Sequence, residues 1–170
     1  MSGTGGRFDW IQPVMESFVD GCSTCRANQG AIPAPGGVIY QDRLWRLEHT
    51  FEWIPMVGWL VLKPLRHVEA FAELTEAEAA TLGPLIRSAT IAMTQVLQPA
   101  KIYVVQFAES ELGHVHIHLI PRWQDTPAEL RGPDVFSLLN TATHEQRNLG
   151  APEAAAKTAV AIREQMEVGR

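Results

Sequence analysis

The run HVHIHLI at residues 114–120 constrains this chain more than any other stretch, because histidine and aliphatic side chains alternate along it. Successive side chains of a β-strand point to opposite faces of the sheet. The alternation therefore predicts a strand whose aliphatic side packs into a core while three imidazoles share the other face. These three residues are His114, His116 and His118. Pro121 is expected to close the strand, since proline has no N–H to donate to a β-ladder.

Three histidines on one strand face indicate chemistry, because a face that only meets solvent usually carries Thr, Lys, Glu and Ser. Imidazoles gathered in this way can ligate a metal, act as nucleophile or acid–base catalyst, or bind an anion. A transition-metal site of the cupin-like type would require an all-β barrel. The capped helix predicted for the middle of the chain argues against that alternative.

The charge and hydropathy of the chain exclude several classes of protein. Its 170 residues are enough for one domain with a core that needs no disulfides. The net charge is −5 and no basic stripe is visible, so a nucleic-acid partner is not expected. No apolar run reaches the length of a membrane span, and the first ten residues, MSGTGGRFDW, lack the pattern of a secretory signal. We therefore expect a cytoplasmic protein without a membrane partner.

The remaining pattern predicts strands on both sides of one long helix. Thr75 and Glu78 have the spacing of a capping box, and an apolar stripe at helical spacing follows as far as Pro99. Pro84 is expected to kink this helix or to move its start later. Strands are expected at Val38–Tyr40, Leu44–His49, within GWLVLKP (58–64) and within KIYVVQF (101–107), with a short helix near Val135–Leu139 and an alanine-rich helix from about Pro152. This order predicts an α+β fold, an antiparallel sheet with the long helix packed on it and an extra C-terminal helix. A parallel crossover through the long helix is the alternative.

The two cysteines, Cys22 and Cys25, form the pair GCSTC. In a reducing compartment this spacing is typical of half a metal site or of a redox pair. A redox pair usually stands at the start of a helix that follows a strand, and the surrounding residues, VDGCSTCRANQG, do not suggest such a helix. The spacing is common in structural zinc sites, which need two further nitrogen or sulfur ligands. An unligated pair of thiols is the third alternative.

The pattern at 114–120, followed by Pro121 and Arg122, resembles the signature of the histidine-triad superfamily of nucleotide hydrolases and transferases. The resemblance covers about residues 22–125 and implies a histidine-triad-like fold. It also implies that His116 attacks the α-phosphorus of a nucleotide and forms a covalent nucleotidyl-histidine. His118 would donate a hydrogen bond to a phosphate oxygen, and histidine at this third position is more typical of the hydrolase branches than of the transferases. Arg122 is a further candidate for a phosphate contact.

The same resemblance completes the metal site. The stretch GWLVLKPLRHVEAF is similar to a strand of the family that ends in Pro-Lys-x-His, and it places His67 where zinc-bearing members have a third ligand. In those members the first histidine of the triad is the fourth ligand. The implied site holds one structural zinc ion per chain between Cys22, Cys25, His67 and His114, and no catalytic metal is implied.

The resemblance implies substrate-binding groups in the loop before the triad, namely Gln106, Ser110 and the backbone N–H of Gly113. This loop, FAESELG, is shorter than the family's glycine-rich version and carries two acidic residues, which are unfavourable beside a phosphate. A second departure is Trp59, where many members have a histidine; an indole there can stack on a nucleobase or fill the core. Glu48 and Glu52 are both candidates for the acid that binds ribose, whereas His49 is expected to be structural.

The implied function is a nucleotide hydrolase that acts through a covalent nucleotidyl–His116 on a dinucleoside polyphosphate or on a nucleoside phosphoramidate or ester. Two alternatives stay open: a nucleotidyl transferase or phosphorylase on the same scaffold, and a non-catalytic nucleotide-binding module. Residues 1–21 are expected to form an N-terminal arm, 22–125 the catalytic domain, and 126–170 a helical extension of that domain. Because members of the superfamily commonly pair, a homodimer is expected.

Overall fold

The computed structural model describes residues 18–50, 54–107, 112–139 and 151–169, so most of the predicted N-terminal arm lies outside it. The strands are β1 (Val38–Gln41), β2 (Trp45–His49), β3 (Leu60–Pro64), β4 (Lys101–Val105) and β5 (Ile117–Arg122). The α-helices are α1 (Ser23–Asn28), α2 (Glu76–Leu97) and α3 (Pro152–Val168). Short 3-10 helices lie at η1 (Phe71–Glu73), η2 (Ala128–Leu130) and η3 (Gly132–Leu139).

The strands form one five-stranded sheet in the order β1-β2-β3-β5-β4, and every neighbouring pair is antiparallel. The predicted α+β class with an antiparallel sheet is therefore confirmed. Both β3 and β4 run antiparallel to β5, which lies between them, so they are parallel to each other and α2 connects them. The connection from β3 through α2 to β4 is therefore a parallel crossover, as the alternative had it. The histidine-bearing strand β5 lies between the two strands that this crossover joins.

The strand that carries the histidines starts and ends later than predicted. It begins at Ile117, so His114 and His116 lie in the segment that leads into β5. Continuing the β3–β5 register would bring Val115 opposite Pro64, which has no N–H to donate, and the N–H of Val115 instead donates to the carbonyl oxygen of Val68 at 2.7 Å.

The expectation that proline closes this strand is also wrong. Pro121 lies inside β5, opposite Ile102 of the edge strand β4. The ladder with β3 has already ended at Leu119, opposite Leu60. Beyond that point β5 has a strand neighbour on one side only, which is where a sheet tolerates proline.

The long helix α2 begins at the predicted capping box. The Thr75 hydroxyl accepts from the Glu78 N–H at 3.2 Å, and the Glu78 carboxylate accepts from the Thr75 N–H at 2.8 Å. The helix runs through Pro84 without interruption, so the later start allowed for in the sequence is not observed. It ends before Pro99, where Gln98 adopts the left-handed conformation with φ 48°.

Two hydrophobic cores lie on opposite faces of the sheet. The larger one packs α2 and the predicted C-terminal helix α3 against β2, β3 and β5, with Leu119 among its buried members. The smaller one packs the η2–η3 segment against the opposite face, where Ile120 is buried. His118 therefore shares its face of the sheet with the smaller core. None of the described helices has the length and apolar character needed to cross a membrane.

Candidate active site and metal centre

Four predicted metal ligands come together at one end of the sheet. The ligand atoms of Cys22, Cys25, His67 and His114 all lie within 4.8 Å of one another. Cys22 is the N-cap of α1 and Cys25 lies in its first turn, whereas the histidines follow β3 and precede β5. A short helix therefore begins at the cysteine pair, which the sequence did not suggest, but the described residues before it, 18–22, contain no strand, so the strand-then-helix arrangement typical of a redox pair is not seen there.

The distances in this cluster fit tetrahedral zinc. The Nδ1 atom of His114 lies 3.5 Å from each cysteine Sγ, and His67 Nδ1 lies 3.4 Å from Cys25 Sγ. A tetrahedral ion with Zn–S bonds of about 2.3 Å and Zn–N bonds of about 2.0 Å separates its sulfur and nitrogen ligands by about 3.5 Å. The side chains are thus already at ligand spacing.

Contacts at Nε2 orient both histidine rings so that Nδ1 of each points to the cysteines. The carbonyl oxygen of Pro64 lies 3.3 Å from His114 Nε2, and a Glu69 carboxylate oxygen lies 3.4 Å from His67 Nε2. Because these oxygens can only accept, each Nε2 carries the proton and each Nδ1 directs its lone pair at the thiols. Burial lowers the pKa of His114 to about 4, which keeps that imidazole in its metal-binding neutral form. Burial raises the pKa of Cys25 to about 11, so a metal would have to displace a proton from this thiol.

His116 follows the candidate ligand His114 by two residues, and its ring makes a separate contact. Its Nδ1 atom is 2.7 Å from the carbonyl oxygen of His114. A carbonyl only accepts, so Nδ1 must donate and the ring's lone pair stands on Nε2. Burial lowers the pKa of His116, and nearby Lys63 lowers it further. The imidazole is therefore neutral at pH 7 and has one nitrogen available as a nucleophile.

His118 is adjacent and has the opposite proton arrangement. Its ring centroid is 4.9 Å from that of His116, edge to face. The indole Nε1 of Trp59 donates to His118 Nδ1 at 3.0 Å. Burial lowers the pKa of His118 to about 3, with the neighbouring His116 as a smaller cause. The two histidines thus present a lone pair and an N–H from neighbouring rings.

The remaining sequence candidates differ in their distance from the triad, and some fall outside the described residues. Gln106 follows Val105, the residue of β4 that pairs with His118, and Gly113 directly precedes the first histidine. Ser110 and Glu52 lie outside the described residues. Arg122 is four residues beyond His118 on β5, about 13 Å away along the strand, so a phosphate at the histidines would be distant from it.

Phe136 of η3 contacts the site and was not predicted from the sequence. Its ring lies 5.6 Å from both the Trp59 and the His118 ring, in edge-to-face contact with each. An aromatic residue in a proline- and glycine-rich stretch carries no signal of such a role, because the contact depends on where the chain folds back.

The ion network on β2 and β3 was also not predicted from the sequence. Glu48 and Lys63 have fully buried side chains and form an ion pair on the same face of the sheet as His118. Arg46 Nε donates to the second carboxylate oxygen of Glu48 at 2.7 Å. The Glu48 side chain is fully buried, so its carboxylate is not exposed to a ribose and we do not expect it to bind one.

Solved structures share this architecture. A hypothetical histidine triad nucleotide-binding protein from Sulfolobus tokodaii strain 7 matches with a TM-score of 0.64 at 18% identity, over 86% of this chain and 93% of that one. A Zn-bound histidine triad family protein from Mycobacterium smegmatis matches with a TM-score of 0.63 at 17% identity, over 88% of this chain and 98% of that one. A Hit-like protein involved in cell-cycle regulation from Bartonella henselae matches with a TM-score of 0.62 at 14% identity, over 88% and 99%.

The chain has the histidine-triad fold. No family model matches the sequence. No curated protein matches it either. The structural matches cover more of the chain than residues 22–125, the part in which the sequence resembles the superfamily. The histidine-triad fold of this chain therefore extends beyond the segment that its motifs identify.

Proposed function

We propose that this protein is a nucleotide hydrolase that works through a covalent nucleotidyl–His116 intermediate, on a dinucleoside polyphosphate or on a nucleoside phosphoramidate or ester. The observation that carries the proposal is the pair of tautomers at the triad. His116 has a free lone pair on Nε2, and the neighbouring His118 has an N–H available for a phosphate oxygen. A nucleophile and a donor on adjacent rings are what in-line attack at phosphorus needs.

The reaction is a double displacement. His116 Nε2 forms a bond to the α-phosphorus while the bond from phosphorus to the leaving oxygen or nitrogen breaks, and the leaving group takes a proton from solvent. Water then attacks the same phosphorus and gives up a proton to solvent, the phosphorus–nitrogen bond breaks to restore the neutral imidazole, and a nucleoside monophosphate leaves. His118 stabilises the charge that develops on a phosphate oxygen in both steps. The nucleotide-binding neighbour from Sulfolobus tokodaii supports a nucleotide as the ligand.

We also propose that Cys22, Cys25, His67 and His114 hold one structural zinc ion. The sulfur–nitrogen distances and the orientation of both imidazoles support this, as does the Zn-bound neighbour from Mycobacterium smegmatis. A zinc ion there would tie α1 to the segment that carries the nucleophile. The role of this zinc ion would be structural, because protein ligands would take all four positions of a tetrahedral ion.

The edge strand β4 supports the expected homodimer. β4 is the last strand of the sheet, and its Val104 side chain is 46% exposed. An exposed apolar edge strand is a ready surface for pairing with another copy of the chain.

The segment after residue 125 is proposed to extend the same domain, because η3 brings Phe136 against the triad and α3 packs on α2 and β1.

The decisive experiment incubates the protein with nucleotides labelled with ³²P at the α-phosphate and follows product and protein-bound label. We expect an acid-labile label on His116 and release of a nucleoside monophosphate. His116→Ala should lose both, while its metal content and thermal midpoint stay close to those of the parent. His49→Gln is the matched control, since this buried histidine lies on β2 with its Nε2 accepting from the Gly58 N–H, and it touches no group of the triad.

Retained turnover in His116→Ala, or nucleotide binding without turnover by the parent, would overturn the proposal. A nucleoside diphosphate formed only when inorganic phosphate is added would indicate the phosphorylase alternative instead. The metal is tested separately by elemental analysis, with about one zinc per chain expected and a loss in Cys25→Ser.

A further inference from the structure

The strongest unassigned contact of the site is the hydrogen bond between Trp59 and His118. The indole Nε1 and the imidazole Nδ1 are 3.0 Å apart. The Trp59 side chain is 0% exposed and His118 is 7% exposed, so water does not compete for this bond. The two residues are 59 positions apart in the chain, and the superfamily resemblance gives no role to tryptophan here.

The chemistry of indole decides the direction of this bond. An indole N–H is a donor and has no acceptor capacity, so the imidazole nitrogen that faces it must hold a lone pair. In neutral histidine the proton then lies on the other nitrogen, Nε2. In a protonated ring Nδ1 would also carry a hydrogen, and two N–H groups would face each other without an acceptor. Burial, which lowers the pKa of His118 to about 3, also disfavours the protonated ring.

Aromatic packing fixes the plane of the ring as well as its proton. Phe136 contacts both Trp59 and His118 edge to face, with all three rings nearly perpendicular to one another. His116 also packs against the His118 ring, with 4.9 Å between the centroids and 84° between the ring planes. Among the described residues no hydrogen-bond partner is found for His118 Nε2, so its N–H is available to a ligand.

We propose that Trp59 is a positioning residue that holds His118 in the Nε2–H tautomer. His118 then donates a hydrogen bond to the nucleotide as a neutral imidazole and does not transfer its proton. This inference rests on the proposed function for the meaning of the donor. Under this inference the proton that the leaving group takes up comes from solvent, because His118 bonded in this way does not act as an acid.

Trp59→Phe is the informative substitution, and Trp45→Phe is its matched control. Trp45 is also 0% exposed, and its Nε1 donates to the Thr81 hydroxyl at a distance of 3.0 Å on the other side of the sheet. Both substitutions remove one indole N–H and a similar volume from a core. Only the first removes a partner from the triad.

The primary readout is the ¹⁵N NMR spectrum of the histidine rings in ligand-free protein at neutral pH. In the parent, we expect His118 to show a pyridine-like, hydrogen-bonded Nδ1 and a protonated Nε2. Trp59→Phe should shift the Nδ1 resonance toward that of an unbonded pyridine-like nitrogen or mix the two tautomers, whereas Trp45→Phe should leave it unchanged. A protonated Nδ1 in the parent, or an Nδ1 resonance unmoved in Trp59→Phe, would overturn the inference.

Kinetics provides the second readout. We expect Trp59→Phe to lower kcat by about tenfold with little change in KM, because a misplaced donor weakens transition-state stabilisation more than binding. An equal loss in Trp45→Phe would show a general effect of core truncation and would count against a positioning role. If the parent turns over no nucleotide, the proposed function fails, and the spectrum of the ligand-free protein still decides whether Trp59 sets the tautomer.

Discussion

The buried ion network behind the triad leads to a prediction that separates stability from catalysis. Glu48 accepts from Lys63 Nζ with one carboxylate oxygen and from Arg46 Nε with the other. Glu48 and Lys63 are completely buried, and the Arg46 side chain is 12% exposed. We predict that Glu48→Gln strongly destabilises the fold and leaves the KM for nucleotide unchanged, because the Glu48 side chain is fully buried and is not exposed to a ligand.

The size of the effect follows from the charge that remains. Burial lowers the pKa of Lys63, and Glu48 is the main influence that keeps its ammonium charged. Removing one partner of a buried ion pair typically costs about 3–5 kcal/mol, since the other charge stays in a medium that solvates it poorly. That is a large share of the roughly 5–15 kcal/mol by which a domain is stable. Replacing both charges, as in Glu48→Leu with Lys63→Met, should recover most of the loss.

Urea unfolding of the zinc-loaded protein measures this directly. The free energy of unfolding should fall by about 3–5 kcal/mol in Glu48→Gln and return toward the parent value in the double variant. Glu164→Gln is the control, because this carboxylate on α3 is exposed and its loss should change stability by less than about 0.5 kcal/mol. A cost below about 1 kcal/mol for Glu48→Gln, or a raised KM in a variant of unchanged stability, would refute the reasoning.

Two further predictions concern the docking of α3 and the titration of a buried histidine. Gly36 and Gly37 have nearly the same φ, 72° and 74°, but a Cβ on Gly36 would lie 2.6 Å from the Ala156 carbonyl oxygen of α3 while one on Gly37 would meet nothing within 4 Å. Both alanine variants should lose about 1 kcal/mol to backbone strain, and Gly36→Ala about 1–3 kcal/mol more in urea unfolding; equal losses would show that α3 does not dock here in solution. Burial lowers the pKa of His49 from 6.5 to about 4, so the unfolded chain takes up its proton first and the free energy of unfolding should decline as pH falls from about 6.5 to about 4, by about 3 kcal/mol from this residue. His49→Gln should flatten that decline, and an unchanged slope would contradict the assignment.

Local patterns predicted the framework of this fold well. The capping box fixed the start of α2 because its two hydrogen bonds join residues three positions apart. The alternation at 114–120 predicted which side chains share a face of the sheet. It failed on the ends of β5, because these depend on Pro64 and on the edge strand β4, which are partners from elsewhere in the chain.

The metal cluster was predicted by resemblance and by no local rule. Cys22 and Cys25 are local to each other, whereas His67 and His114 join them across 42 and 89 residues from Cys25. Spacing alone left a redox pair and free thiols open. The structure adds the carbonyl oxygen of Pro64 and the Glu69 carboxylate, which orient the two imidazoles and which no motif contains.

The chemistry of the triad depends on a level that sequence does not encode. His116 and His118 are the same residue type, two positions apart, and neither carries in its own letters the nitrogen that holds the proton. An acceptor-only carbonyl oxygen places that proton on Nδ1 of His116, and a donor-only indole places it on Nε2 of His118. Exchanging those partners would exchange the proposed nucleophile and the proposed donor, with the His-x-His-x-His motif unchanged. The motif therefore brings the histidines together, and the partner atoms around them, the Trp59 Nε1 among them, set which nitrogen of each ring carries the proton.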